Sequence, residues 1–69
     1  MSKYKMIITW SEEDSAFIAA VPELPGCMAD GSTREEAIKN AEQVIREWID
    51  MANEMGREVP EPSPLVETA

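Results

Sequence analysis

The sequence predicts an α+β domain, a small antiparallel sheet with one long helix on one face. Three observations carry that expectation. Tyr4, Met6, Ile8 and Trp10 alternate with Lys5, Ile7 and Thr9, the period-two pattern of a strand with one strongly apolar face. Ala16 to Val21 is an unbroken apolar run of strand length. From Ala37 through Ile38, Ala41, Val44, Ile45, Trp48, Ile49 and Ala52 to Met55, apolar residues recur at three-and-four spacing, which places them on one stripe of a helix of about six turns.

The first two strands are joined by Ser11-Glu12-Glu13-Asp14-Ser15, a short polar link that favours an antiparallel hairpin. The second strand has no polar position, as expected of a central strand packed on both sides. One helix covers one sheet face, so the other face of this strand is expected to meet something else, and its alanines let a flat surface approach closely. Pro22-Glu23-Leu24-Pro25-Gly26 stops the strand as a rigid turn with few backbone donors. Cys27 to Asp30 is expected to form a short third strand that Gly31 ends. Thr33 with Glu36 fits a capping box, and Ser32 with Glu35 fits it one residue earlier. Glu35 and Glu36 also suit the positive end of the helix dipole. Glu35 with Lys39 and Glu42 with Arg46 are i,i+4 pairs in the favourable order. Gly56 fits the left-handed position that closes a helix. Beyond it the prolines at 60, 62 and 64 forbid a central strand and leave room only for a short edge strand at Val59. The order is therefore β-β-β-α, with residues 1–63 as one domain and residues 64–69 expected to be a disordered tail.

Composition narrows function. The chain has 69 residues, six Lys+Arg, fourteen Asp+Glu and no His, for a net charge of −8. So short a chain holds one core and gains from a partner or a staple. Cys27 is the single cysteine, which excludes an internal disulfide and, with no His, a Cys/His zinc cluster. The charge disfavours direct contact with nucleic acid. No run approaches the ~20 apolar residues of a membrane helix, and the N-terminus is too short in apolar residues for a signal core. The expected compartment is the cytoplasm.

Catalysis finds little support. Without imidazole no Ser–His or Cys–His nucleophile can be built. Neither strand carries a carboxylate that could converge with others on a metal. Glu12-Glu13-Asp14-Ser15-Ala16-Phe17 lacks the alternating ligands and the glycine of a calcium loop. No basic residue flanks Cys27, which favours a buried structural thiol. No cofactor is expected. Trp48 reads as core. Trp10 reads either as core or as an anchor facing a partner.

Several stretches together resemble one known family. Val21-Pro22-Glu23-Leu24-Pro25-Gly26-Cys27, then Gly31-Ser32-Thr33-Arg34-Glu35-Glu36-Ala37, then Asn40-Ala41, and finally Pro60-Glu61-Pro62-Ser63 are similar to the HicB-like antitoxins in order and spacing, over residues 4–63. The resemblance implies a partial ribonuclease-H-like fold. It implies an antitoxin that binds and blocks a small basic ribonuclease toxin, HicA, which cleaves mRNA, and a protein that self-associates as a dimer or tetramer. Longer members carry a C-terminal DNA-binding domain, and this sequence ends where that domain would begin, so DNA binding is not carried over. The residues expected to meet the partner are Trp10, Glu12, Glu13, Asp14, Glu23, Leu24 and Cys27. The alternative is a homo-oligomeric domain with a structural or regulatory role and no toxin.

Overall fold

A computed structural model describes residues 3–62. Three strands, β1 (Ile7–Ser11), β2 (Ala16–Ala20) and β3 (Met28–Gly31), precede one helix, α1 (Arg34–Glu54). The sheet is antiparallel throughout in the order β1-β2-β3, so the all-apolar strand is the central one. This is the α+β arrangement expected from the sequence. The short edge strand open to Val59 does not form among the described residues. Val59 and Pro60 are instead half-buried, and the Tyr4 hydroxyl donates to the Pro60 carbonyl. Proline offers no ladder donor, so a side chain ties this segment back to the N-terminal one. The tail expected over residues 64–69 lies outside the described residues, as does Ser63.

The register sorts the side chains. Ile8 stands opposite Ala19, and Ala19 opposite Ala29. Ala19, Ala37 and Ala41 are fully buried, with Met6, Ile8, Phe17 and Ala29 packed around them. Small side chains here let the first half of the helix lie close on the sheet. Larger ones fill the second half, where Val21, Leu24, Cys27 and Ile45 form the buried cluster and Tyr4, Met6, Val44, Trp48 and Ile49 close over it. The helix packs chiefly on β3, next on β2, and leaves β1 to one side.

Both helix ends follow local chemistry. Thr33 is the N-cap, and its Oγ1 accepts the Glu36 amide at 3.0 Å. The Glu36 carboxylate reaches back one residue further than the usual box, accepting the Ser32 amide at 2.6 Å. That bond settles which of the two sequence-level caps forms. At the other end Gly56 has φ 70°. The Gly56 amide donates to the Asn53 carbonyl at 3.2 Å and the Arg57 amide to the Ala52 carbonyl at 2.8 Å, the paired bonds of a Schellman stop. The passage from β3 into the helix also needs Gly31 as it is. A Cβ there would lie 2.5 Å from the Ala37 backbone nitrogen, so a larger residue would push the helix off the sheet.

Two measurements test the cap. Thr33→Ala should lower unfolding stability by about 1 kcal/mol, and Thr33→Ser by much less, in urea titrations followed by circular dichroism. The Glu36 carboxyl is held below its ordinary value, first by the Ser32 amide and then by the Ser32 side chain, with desolvation opposing and Lys39 adding a weaker pull in the same direction. Its folded pKa lies below its unfolded one, so its contribution is complete above the usual carboxylate range and is lost as pH falls through the folded value. The melting temperature of Glu36→Gln should therefore lie below wild type at neutral pH, and the two should converge in acid.

Candidate partner-binding surface

β1 and β2 are joined by a four-residue turn that carries the acidic run. Ser11 Oγ accepts the Asp14 amide at 3.2 Å and lies 3.1 Å from Asp14 Oδ2. The Ser15 amide donates to the Glu12 carbonyl at 3.3 Å, with Ser15 itself at φ 50°. Local side-chain bonds of this kind favour a turn over a continued ladder. Glu12, Glu13 and Asp14 are all exposed.

The second turn is built differently. The Leu24 amide donates to the Val21 carbonyl at 3.1 Å, the Cys27 amide to the Leu24 carbonyl at 2.9 Å, and the Val21 amide to the Cys27 carbonyl at 2.9 Å. Two successive β-turns result. Pro25 and Gly26, the latter at φ 78°, hold the central positions of the second, as a type II turn requires. The Trp48 indole donates to the Pro25 carbonyl at 2.9 Å and binds the turn to the helix. Trp48 thus packs on the core, as its spacing predicted, and also pins the turn, which its spacing did not reveal. Asn40 does similar work at β3, donating from Nδ2 to the Asp30 carbonyl at 2.9 Å.

The residues expected to meet a partner do not form one patch. Trp10 and the acidic turn lie at one end of the sheet. Glu23, Leu24 and Cys27 lie at the other, about 17 Å away along a five-residue strand. Leu24 and Cys27 point inward, at 0% and 2% exposure. The proline turn aims them under the helix, so they support the surface rather than form it. Burial also pushes the Cys27 thiol above its ordinary pKa. Trp10 stands opposite Phe17 on the helix side of the sheet and meets its ring edge-on, with centroids 4.9 Å apart. The Arg34 guanidinium sits 4.8 Å over the Phe17 ring, a cation–π contact.

The face away from the helix joins the two ends, and the pattern of exposure defines it. Ile7, Ala20 and Met28 form one row across it, and Thr9, Ile18 and Asp30 the next. Ile7 is 49% and Met28 56% exposed, while Ile18 and Ala20 are half-buried. The result is an apolar centre with Asp30 on it and the acidic turn at one end. That is a binding surface in outline, an apolar middle with charge at its rim. The sequence marked this face by the all-apolar second strand, but Met28 carried no signal because the third strand is too short to show a period.

No group of three or more His, Cys, Asp and Glu among the described residues could hold a metal. A cleft of about 260 Å³ lies along the second half of the helix, lined by Val44, Glu47, Trp48, Met51, Ala52 and Arg57. It brings together no nucleophile and base. No helix among the described residues is long and apolar enough to cross a membrane.

Comparison with known proteins decides the family. The sequence model described as the HicB-like antitoxin of bacterial toxin–antitoxin systems matches residues 4–69. This chain belongs to the HicB-like antitoxin family. It is 38% identical over 58 residues to a UPF0150 protein of Thermoplasma acidophilum, an alignment covering 84% of this chain and 83% of that protein. It is 33% identical over 52 residues to an uncharacterised 14.9 kDa protein from the rep-hol intergenic region of Haemophilus phage HP1. That alignment covers 75% of this chain but 39% of the phage protein. Membership of an antitoxin family implies a toxin partner of some kind.

The Trp48 bond gives a test of how the second turn is held. Trp48→Phe keeps most of the packing and removes the N–H donor, so stability should fall by about 1 kcal/mol. Reaction of Cys27 with a thiol reagent should quicken as the turn loosens, while staying slow in the wild type.

Proposed function

We propose that this HicB-like antitoxin neutralises a small, basic, HicA-type ribonuclease toxin in the cytoplasm by binding it on the open face of the sheet. The carrying observation is the pairing of family membership with an apolar face that has acid at its rim. Residues 11–31 contain Glu12, Glu13, Asp14, Glu23 and Asp30 and no Lys or Arg. Five of the excess negative charges therefore belong to the two turns and β3. Such charge speeds and selects the encounter with a basic protein. Ile7, Ile18, Ala20 and Met28 supply the apolar contact from which most affinity comes. Glu12, Glu13, Asp14 and Glu23 are the proposed rim, with Leu24 and Cys27 supporting the second turn from beneath. The role is binding rather than catalysis.

The second reading is a HicB-like domain that assembles with itself and has no toxin. The β1 edge, unpaired on its outer side among the described residues, favours it. Coexpression separates the readings. The product of a neighbouring short, basic ribonuclease gene should arrest growth, and this chain should restore it. Met28→Lys should abolish rescue while leaving the melting temperature within about 1 °C, because an exposed side chain contributes little to folding. Lys at both Glu12 and Glu13 should slow association several-fold at low salt and have less effect at high salt. A ribonuclease that arrests growth equally with and without this chain would overturn the toxin reading.

A further inference from the structure

The helix side of the sheet has a step in it. The helix lies chiefly over β3 and next over β2, so β1 forms a shelf along its flank. Ile8 and Trp10 are the β1 residues on this side. Ile8 is half-buried and packs against the Ala19, Ala37 and Ala41 cluster. Trp10, at the acidic end of the shelf, meets Phe17 edge-on and is still 50% exposed. Half of its ring therefore packs on the fold, and the other half presents an aromatic surface to solvent.

This aromatic pair already holds one cation. The Arg34 guanidinium sits 4.8 Å over the Phe17 ring, where the negative face of the ring attracts it. Glu12, Glu13 and Asp14 follow Trp10 in the turn and are all exposed. The Ser11 bonds to Asp14 fix the shape of that turn. Its three carboxylates outweigh the single charge of Arg34, so the field beside the Trp10 ring favours a further cation. A nucleobase could stack on the indole, but its phosphates would meet the same carboxylates. Among cationic side chains, arginine matches both features at once. Its plane is weakly hydrated and lies flat on an aromatic ring, while its N–H groups remain directed at carboxylates. Lysine brings the charge without the plane.

We propose that Trp10, with Glu12 and Glu13, receives one surface arginine of a basic protein partner. The guanidinium stacks on the exposed half of the indole and donates to the two carboxylates. The site rests on the reading of a basic partner given above, but not on that partner being a ribonuclease. It also lies on the opposite side of the sheet from the apolar face of Ile7, Ile18, Ala20 and Met28. A partner that fills both surfaces grips the β1–β2 hairpin from two sides. The acidic turn then fixes the position of one residue of the partner, beyond attracting its overall charge.

Nuclear magnetic resonance on the purified chain tests the site directly. The probe is a capped peptide of arginines spaced by glycine, with lysine and citrulline counterparts of equal length. The chain has two tryptophans, and the Trp48 indole N–H, bonded to the Pro25 carbonyl, serves as an internal reference. The arginine peptide should shift the Trp10 indole signal and leave that of Trp48 in place. The citrulline peptide, which keeps the plane and loses the charge, should move neither. The lysine peptide should bind about threefold more weakly than the arginine one. Followed through the Glu13 amide, Trp10→Leu should weaken arginine binding by about threefold and bring it level with lysine. Glu12→Gln combined with Glu13→Gln should weaken both peptides several-fold with Trp10 intact, and less so at high salt. Circular dichroism checks that each variant folds. An unmoved Trp10 signal, equal binding of the arginine and lysine peptides, or unchanged affinity in Trp10→Leu would each overturn the proposal. A positive titration with no rescue in coexpression removes the toxin reading and keeps the arginine site. Rescue with an unmoved Trp10 signal does the reverse.

Discussion

One helix is all the described residues offer to cover a three-stranded sheet, and it is set off-centre. That constraint governs the rest of the molecule. Over β3 and β2 the helix completes a core of Ala19, Ala37 and Ala41 at one end and Val21, Leu24, Cys27 and Ile45 at the other. Nothing remains in the described residues to cover β1 from the side or the sheet from behind. The exposed Ile7, Met28 and Trp10 are the consequence. They fall on two different faces, Ile7 and Met28 behind the sheet and Trp10 on the helix side.

Electrostatics works within that geometry. Acid is concentrated in the hairpin turn, at Glu23 and at Asp30, while the basic residues nearest β1 stand at the opposite end of that strand. A field of this kind favours encounter with basic proteins. Charge contributes direction and selectivity, and apolar burial contributes affinity. The few polar bonds that cross between elements do positional work. Trp48 holds the proline turn, Asn40 holds the end of β3, and Tyr4 holds the segment after the helix.

Much of this was legible in the residue order because it rests on local rules. The first strand, expected over Tyr4 to Trp10 and found at Ile7–Ser11, the central position of β2, the cap at Thr33 and the stop at Gly56 each follow from a period, a side-chain oxygen or a missing Cβ within a few residues. The candidate site was less legible. Trp10 and the acidic turn are neighbours in sequence, yet Trp10 turns to the helix side. Leu24 lies among turn residues and is wholly buried, because two linked β-turns fold it under Ile45. Asn40 shows no pattern of its own, since its partner lies ten residues away across the β3–helix junction.

The sequence by itself determined the fold class, the family, the acidic character and the ends of the helix, all of which depend on composition or on contacts within a turn or two. Only the tertiary structure decided which strand the helix leaves uncovered, which side each exposed apolar residue faces, and that the expected contact residues occupy two ends of the sheet. Those outcomes depend on how far the helix is shifted across the strands. That shift is set by the summed packing of alanines at one end of the seam and larger side chains at the other, a balance that no single stretch of sequence contains.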